Sequence, residues 1–255
     1  MIDSHCHLEQ RTYDDDRDEV IARCKAAGLK AIVFSCAHFH DLERSFAIAE
    51  RYKGYAFMAA GLHPEFIQEI TPAVKSGFFK AVKAHVSAIV AIGETGLDYN
   101  WTKEEQWRLE QARLFTEMIR FAKRMNKPLV VHCRDAYPEA IEILERENAC
   151  NVLMHMFGGK DLVDRVVANG WHVSTNAIVL RSKDHRKIVK RVPPERLLLE
   201  TDAPWLHPSG QGRNEPTSIK SVAEKVAELT HRSFDDVWLQ CGRNAVEFYG
   251  LPVVL

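Results

Sequence analysis

The sequence predicts an α/β fold, a (β/α)8 (TIM) barrel, on three observations. Eight short β-branched or aliphatic runs alternate with longer amphipathic stretches, the pattern of βα units around a parallel sheet. The 255 residues match the roughly 250 that one such barrel takes, so residues 1–255 are expected to form a single domain. The first run is not followed by the glycine-rich turn that usually opens an open nucleotide-binding sheet.

The strand runs are Met1-Ile2, Ala31 to Phe34, Tyr55 to Met58, Ile89 to Ile92, Pro128 to Val131, Asn151 to Met154, Trp171 to Val173 and Leu197 to Leu199. Helices are expected between them over Asp14 to Ala27, Asp41 to Tyr52, Thr71 to Val86, Glu104 to Met125, Pro138 to Glu147, Asp161 to Ala168 and Asp184 to Lys190. In the fourth of these, Leu114, Phe115, Met118, Ile119, Ala122 and Met125 recur at three- and four-residue steps and make one apolar stripe. Gly28, Gly54 and Asn169-Gly170 stand where helix ends favour a left-handed residue. Ser218 to Leu229 and Ser233 to Tyr249 close the chain as helices.

Composition narrows the function. With 46% hydrophobic and 27% charged residues the chain reads as globular, and no apolar run approaches the 18 or so residues of a membrane span. Thirty-four Lys and Arg against thirty-five Asp and Glu leave a net charge of −1, which argues against binding nucleic acid or membrane through bulk positive charge. No secretory signal is expected at the start. Cys6, Cys24, Cys36, Cys133, Cys150 and Cys241 show no disulfide or CxxC spacing, so free thiols and a cytoplasmic location are expected, without a membrane or an obligate protein partner.

Chemistry in such a barrel sits where the strands end and the βα loops begin. The first strand runs into His5-Cys6-His7, the third into Gly61-Leu62-His63-Pro64, the fourth into Gly93-Glu94, the fifth into His132-Cys133-Arg134-Asp135, the sixth into His155 and the eighth into Glu200-Thr201-Asp202. Twelve histidines in the whole chain would put fewer than one at eight strand ends by chance, yet four ends carry one. His5 and His7, two apart on a strand, point to the same side and can chelate one ion. Glu94 has two oxygens with which to bridge a pair of cations. The six residues divide into two sites sharing Glu94: His5, His7 and Asp202 for one ion, His132 and His155 for the other. Imidazoles with carboxylates suit Zn, Mn, Fe or Co, and Mg less well. Two such ions activate water for hydrolysis, with Asp202 placed to take its proton.

These segments resemble the TatD family of metal-dependent deoxyribonucleases, within the amidohydrolase-like barrels. The resemblance runs through Asp3-Ser4-His5-Cys6-His7-Leu8, Gly61-Leu62-His63-Pro64, Ala91-Ile92-Gly93-Glu94-Thr95-Gly96-Leu97-Asp98-Tyr99, His132-Cys133-Arg134-Asp135-Ala136, His155-Met156-Phe157-Gly158-Gly159, Leu199-Glu200-Thr201-Asp202-Ala203-Pro204 and Arg213-Asn214-Glu215-Pro216. It implies the same six metal ligands and two divalent ions, Zn, Mn or Mg. Glu94, Asp202 and His63 are implied as the catalytic set, acting on DNA as a 3′-5′ exonuclease of single strands.

It implies, further, that His63 contacts a substrate phosphate or a third metal. Arg134 is expected either to fork onto a phosphate or to pair with Asp135; Arg213 either to meet the substrate or to pair with Glu215. Tyr99 and Trp205 flank ligands and either stack on bases or pack the loops. After the seventh strand many relatives carry a glycine, whereas this chain reads Ser174-Thr175-Asn176-Ala177. Two other readings keep the ligand ring: hydrolysis of another ester such as a D-aminoacyl-tRNA linkage, and a non-catalytic metal-binding barrel.

Overall fold

The computed structural model describes residues 1–255. Eight strands, β1 (Ile2–Cys6), β2 (Ala31–Cys36), β3 (Ala56–Ala60), β4 (Ile89–Asp98), β5 (Leu129–Arg134), β6 (Val152–Met154), β7 (His172–Thr175) and β8 (Leu197–Leu199), lie side by side in sequence order. All seven successive pairings are parallel. The ring closes just beyond β8, where the backbone N–H groups of Thr201 and Asp202 donate to the His5 carbonyl at 3.3 and 2.9 Å and His7 N–H donates to the Ala203 carbonyl at 2.7 Å. Buried Asp3 fastens this seam by accepting from the Thr201 N–H at 3.0 Å and its hydroxyl at 2.5 Å.

Helices α1 (Arg17–Ala26), α2 (Leu42–Arg51), α3 (Pro72–Ala84), α4 (Glu105–Met125), α5 (Tyr137–Arg146), α6 (Val163–Ala168), α7 (Lys183–Arg191), α8 (Ile219–Thr230) and α9 (Phe234–Tyr249) make the outer layer. Each expected helix is present, with its ends set by local chemistry. The Thr71 hydroxyl caps α3 by accepting from the Val74 N–H, with Pro72 in the first turn where a missing N–H costs nothing. Left-handed Asn126 ends α4 two residues before Pro128. The first helix begins at Arg17, later than the expected Asp14, because Arg11–Tyr13 form a separate 3-10 turn. No helix is long and apolar enough to cross a membrane. All six thiols are free, and all except Cys150 are buried.

Two apolar layers result. A large one fills the space between sheet and helices. A smaller one lies inside the barrel, where Ile2, Ala31, Val33, Ala59, Ala91, Val130, Leu153 and Leu198 pack with Ala245, Phe248, Tyr249 and Leu251 at and beyond the end of α9. That plug forms the floor on which the polar residues of the mouth stand.

Period-two alternation then decides what faces the mouth. Two residues after Val130 comes His132 and two after Leu153 comes His155, so these side chains continue the inward-facing rows, while Asp202 lies three residues beyond β8, where its φ of +57° turns the chain. His5, His7 and Glu94 are out of phase with Ile2 and Ala91 by one residue. The ladder corrects this: register shifts fall between Asp3 and Cys6 in β1 and between Ile92 and Thr95 in β4. A bulge re-aims the side chains beyond it. For the same reason β1 and β4 run past the expected ends at Ile2 and Ile92, carrying His5 and Glu94 within strands.

The path of β4 needs glycine. Gly96 has φ +149°, and a Cβ there would stand 1.9 Å from the carbonyl oxygen of His132. Gly96→Ala is expected to cost about 3 kcal/mol, lowering Tm by about 6–12 °C for a chain of this size. A thermal melt followed by circular dichroism checks this; a melt within 2 °C of the unsubstituted protein contradicts it.

Candidate metal centre

All six expected ligands, with His63, converge on the mouth. Glu94 is at the centre, 3% exposed, and its two oxygens face different imidazoles. Oε2 lies 3.3 Å from His5 Nε2 and 3.7 Å from His7 Nε2. Oε1 lies 2.8 Å from His132 Nδ1, 3.4 Å from His63 Nε2 and 3.5 Å from His155 Nε2. Asp202 Oδ1 stands with the first set, 3.3 Å from His7 Nε2 and 3.7 Å from His5 Nε2. The groupings compact enough to hold an ion are His5, His7 and Glu94; His63, Glu94 and His132; and His5, His155 and Asp202. His155 bridges the halves, since its ring stacks on His5 at 3.9 Å between centroids. The cluster fits against β3 because Gly61 has no Cβ; one would stand 2.2 Å from the Glu94 carbonyl oxygen.

Behind three of the imidazoles stands a second carboxylate that sequence reasoning did not assign. Glu9 faces His7 Nδ1 at 3.3 Å, Asp98 faces His132 Nε2 at 2.9 Å and Glu200 faces His155 Nδ1 at 3.0 Å. Each accepts a hydrogen bond from one ring N–H and leaves the opposite nitrogen turned toward Glu94, the arrangement that orients metal-binding histidines. The segment Ser174-Thr175-Asn176 supports this layer. Ser174 Oγ donates to Glu200 at 2.5 Å and Asn176 Nδ2 at 3.1 Å.

The charges follow. Burial acts to protonate Glu94, but His63, His155 and His5 around it hold its carboxyl well below the usual range. Burial works against charge on His132 and His155 too, yet Asp98 with Glu94 lifts the first to about 9, and Glu200 with Glu94 lifts the second to about 10. His7 is carried well above its ordinary value, against burial, by Glu9 and Asp202. Positive charge is therefore strongly favoured between these carboxylates.

His63 differs. Its Nδ1 accepts the Glu65 N–H at 3.2 Å, so a neutral ring carries its proton on Nε2, facing Glu94. Burial, with His132 adding to it, holds His63 below its ordinary value despite Glu94.

Do these residues fit divalent cations? Buried His5 Nε2 makes no hydrogen bond, although Glu94 is near. A buried nitrogen without a partner is costly, and a cation would take its lone pair. The mixed imidazole and carboxylate donors are those of transition-metal sites.

The expected substrate contacts divide. Arg134, at the end of β5, is exposed, and its guanidinium makes no hydrogen bond or ion pair in the chain, Asp135 included. Trp205 is also exposed, at 54%. Arg213 is occupied elsewhere: its guanidinium donates to both oxygens of Asp16, to the Thr12 carbonyl and to Glu215, and lies 4.8 Å over the Tyr13 ring. This loop-to-α1 clamp goes beyond the Glu215 pairing that the sequence offered. Tyr99 donates its hydroxyl to Glu139 at 2.6 Å and is covered by Arg108, 4.5 Å from the ring, so it packs the loop.

Comparison with known proteins agrees with this architecture. The family model described as TatD related DNase matches residues 2–250. A Bacillus subtilis protein named as an uncharacterised metal-dependent hydrolase is 36% identical over 244 residues, covering 93% of this chain and 94% of the relative. The 3′-5′ ssDNA/RNA exonuclease TatD of Cronobacter sakazakii is 32% identical over 257 residues, covering 96% and 95%. The crystal structure of a TatD homologue from Escherichia coli superimposes with a TM-score of 0.92 at 25% identity, covering 99% of this chain and 98% of that one. With a family match along nearly its whole length and the barrel that goes with it, the chain belongs to the TatD related DNase family.

Proposed function

We propose that this protein is a divalent-metal-dependent phosphodiesterase that hydrolyses nucleic acid, trimming single-stranded DNA from its 3′ end, with residues 1–255 working as one unit. The observation that carries this reading is the division of the histidines between the two oxygens of Glu94. It supports two adjacent cations with Glu94 between them, His5, His7 and Asp202 holding one and His132 and His155 the other. Relatives named as metal-dependent hydrolase and as 3′-5′ ssDNA/RNA exonuclease support the substrate class.

Zn, Mn or Mg ions bound there would supply an activated water and neutralise charge on the phosphate. The chain's own residues do the rest. Asp202, held below the ordinary carboxylate range by His7, His155 and His5 despite its burial, stays ionised and takes the proton of the attacking water. The oxygen of that water bonds to phosphorus as the bond from phosphorus to the 3′ oxygen breaks; the leaving oxygen takes a proton from solvent water, and the proton on Asp202 returns to solvent. His63, with its proton on Nε2, acts as a hydrogen-bond donor to a phosphate oxygen rather than as a ligand to a third metal. Arg134, free of protein partners, forks onto the neighbouring phosphate. Arg213 has no part in this step.

Two outcomes are expected. Chelation by EDTA abolishes digestion of a 5′-labelled single strand and Mn²⁺ restores it, while Glu94→Gln lowers kcat/KM by about 10³-fold or more, an effect of the size seen when a preorganised charge is lost. Digestion that survives EDTA, or a Glu94→Gln variant within tenfold of the parent, contradicts the reading. Glu200→Gln, which keeps the shape but removes the charge behind His155, is expected to weaken Mn²⁺ or Zn²⁺ binding by about 10–100-fold in calorimetry. Unchanged affinity in a folded variant removes Glu200 from the centre.

A further inference from the structure

We infer that Trp101 and Trp205 form a pair of base-stacking platforms on opposite rims of the mouth, which take the unpaired bases next to the phosphate being cut. This rests on the nucleic-acid reading above and deepens it.

Of the five tryptophans in the chain, Trp171 is fully buried and Trp107 and Trp238 pack against the core, whereas Trp101 is 62% exposed and Trp205 is 54% exposed. The other large apolar side chains left in water, Leu109, Leu239 and Val254, lie on α4, on α9 and in the tail beyond it. Only the two indoles stand in βα loops. Neither indole nitrogen donates a hydrogen bond within the chain, and neither ring stacks on another.

Both are tied to the centre through a backbone N–H. Trp101 follows Asp98 by three residues, and its N–H donates to Asp98 Oδ1 at 2.9 Å while Oδ2 of that carboxylate faces His132. Trp205 follows Asp202 by three residues, and its N–H donates to the Asp202 carbonyl at 2.9 Å. The backbone that carries one indole is thus held to the layer behind His132, and the backbone that carries the other to that of a candidate ligand. The loops leave β4 and β8, which are four strands apart in either direction around the eight-stranded ring, so they face each other across the opening. Arg134, the unpaired cation, ends β5 in register with Asp98, beside the Trp101 loop.

An exposed indole in a loop whose backbone is fastened beside a phosphate-cutting centre suits a flat nucleobase, and stacking tolerates any base. Bases in a duplex have their faces covered by their neighbours, so two platforms of this kind favour single strands over duplex.

The test uses the full chain with Mn²⁺ and two 5′-labelled strands of equal length, one ordinary and one with abasic tetrahydrofuran units at the last three 3′ positions. Trp101→Ala and Trp205→Ala are each expected to raise KM on the ordinary strand about tenfold, with kcat within about threefold, since stacking contributes ground-state binding. Phe at either position restores most of the loss, and Leu239→Ala, far from the mouth, leaves KM unchanged. On the abasic strand the unsubstituted protein already shows the high KM, and the alanine variants differ from it by less than about twofold. Alanine variants with parental KM, an equal loss on both strands, or equal KM of the parent for both strands overturns the inference while leaving the phosphodiesterase reading intact. If the parent cuts neither strand, that reading fails and this inference falls with it.

Discussion

Glu94 is a carboxylate with almost no water around it, placed among five imidazoles, and the rest of the mouth is organised to keep it ionised there. An isolated buried carboxylate would take up a proton, because burial in a medium of low dielectric penalises its charge. Here the neighbouring imidazoles reverse that outcome. The imidazoles are themselves buried and need carboxylates behind them, and Glu9, Asp98 and Glu200 provide these. The result is a shell of negative charge around inward-facing ring nitrogens, closed at the seam between β8 and β1 by Asp3 and Thr201. Cations at the centre would satisfy both layers together, which is why donor set and charge lead to the same conclusion.

The barrel separates this polar chemistry from stability. Below the mouth, the floor packed by α9 is apolar, and the larger core lies outside the strands. A strand can therefore carry an apolar residue at its lower end and a ligand at its upper end with only the alternation of β-structure between them. Where the alternation places a ligand on the wrong side, a local shift of register corrects it, at Asp3 to Cys6 and at Ile92 to Thr95.

This explains how far the chain could be read from its sequence. His132 and His155 continue the rows of their own strands, and the eight-run pattern itself is local, so the barrel and the convergence of these residues on its mouth were legible. That β4 runs on through Glu94 was not, since a bulge leaves little trace in hydrophobic pattern. Asp98 and Glu200 sat in quoted motifs without a role, because their partners are 34 and 45 residues away and only the closed ring brings them together. For Arg213 the sequence offered Glu215 two residues on but not Asp16, which lies 197 residues away and accepts from both of its terminal nitrogens. Trp101 went unnoticed for a related reason: exposure is a property of the folded surface. Its spacing of three from Asp98, the same as that of Trp205 from Asp202, was the available signal.

The net charge of −1 also takes on a different sense. Carboxylates stand among and behind the imidazoles of the mouth, and divalent ions bound there would make the local sign more positive without altering the formal count. The claim on which everything else depends is that Glu94 stands between two cations. Anomalous diffraction from crystals grown with Zn²⁺ tests it most directly. Two peaks are expected, one against Oε2 with His5 and His7 and the other against Oε1 with His132. A single peak on one side of Glu94, or ions bound without contact to it, would contradict the claim.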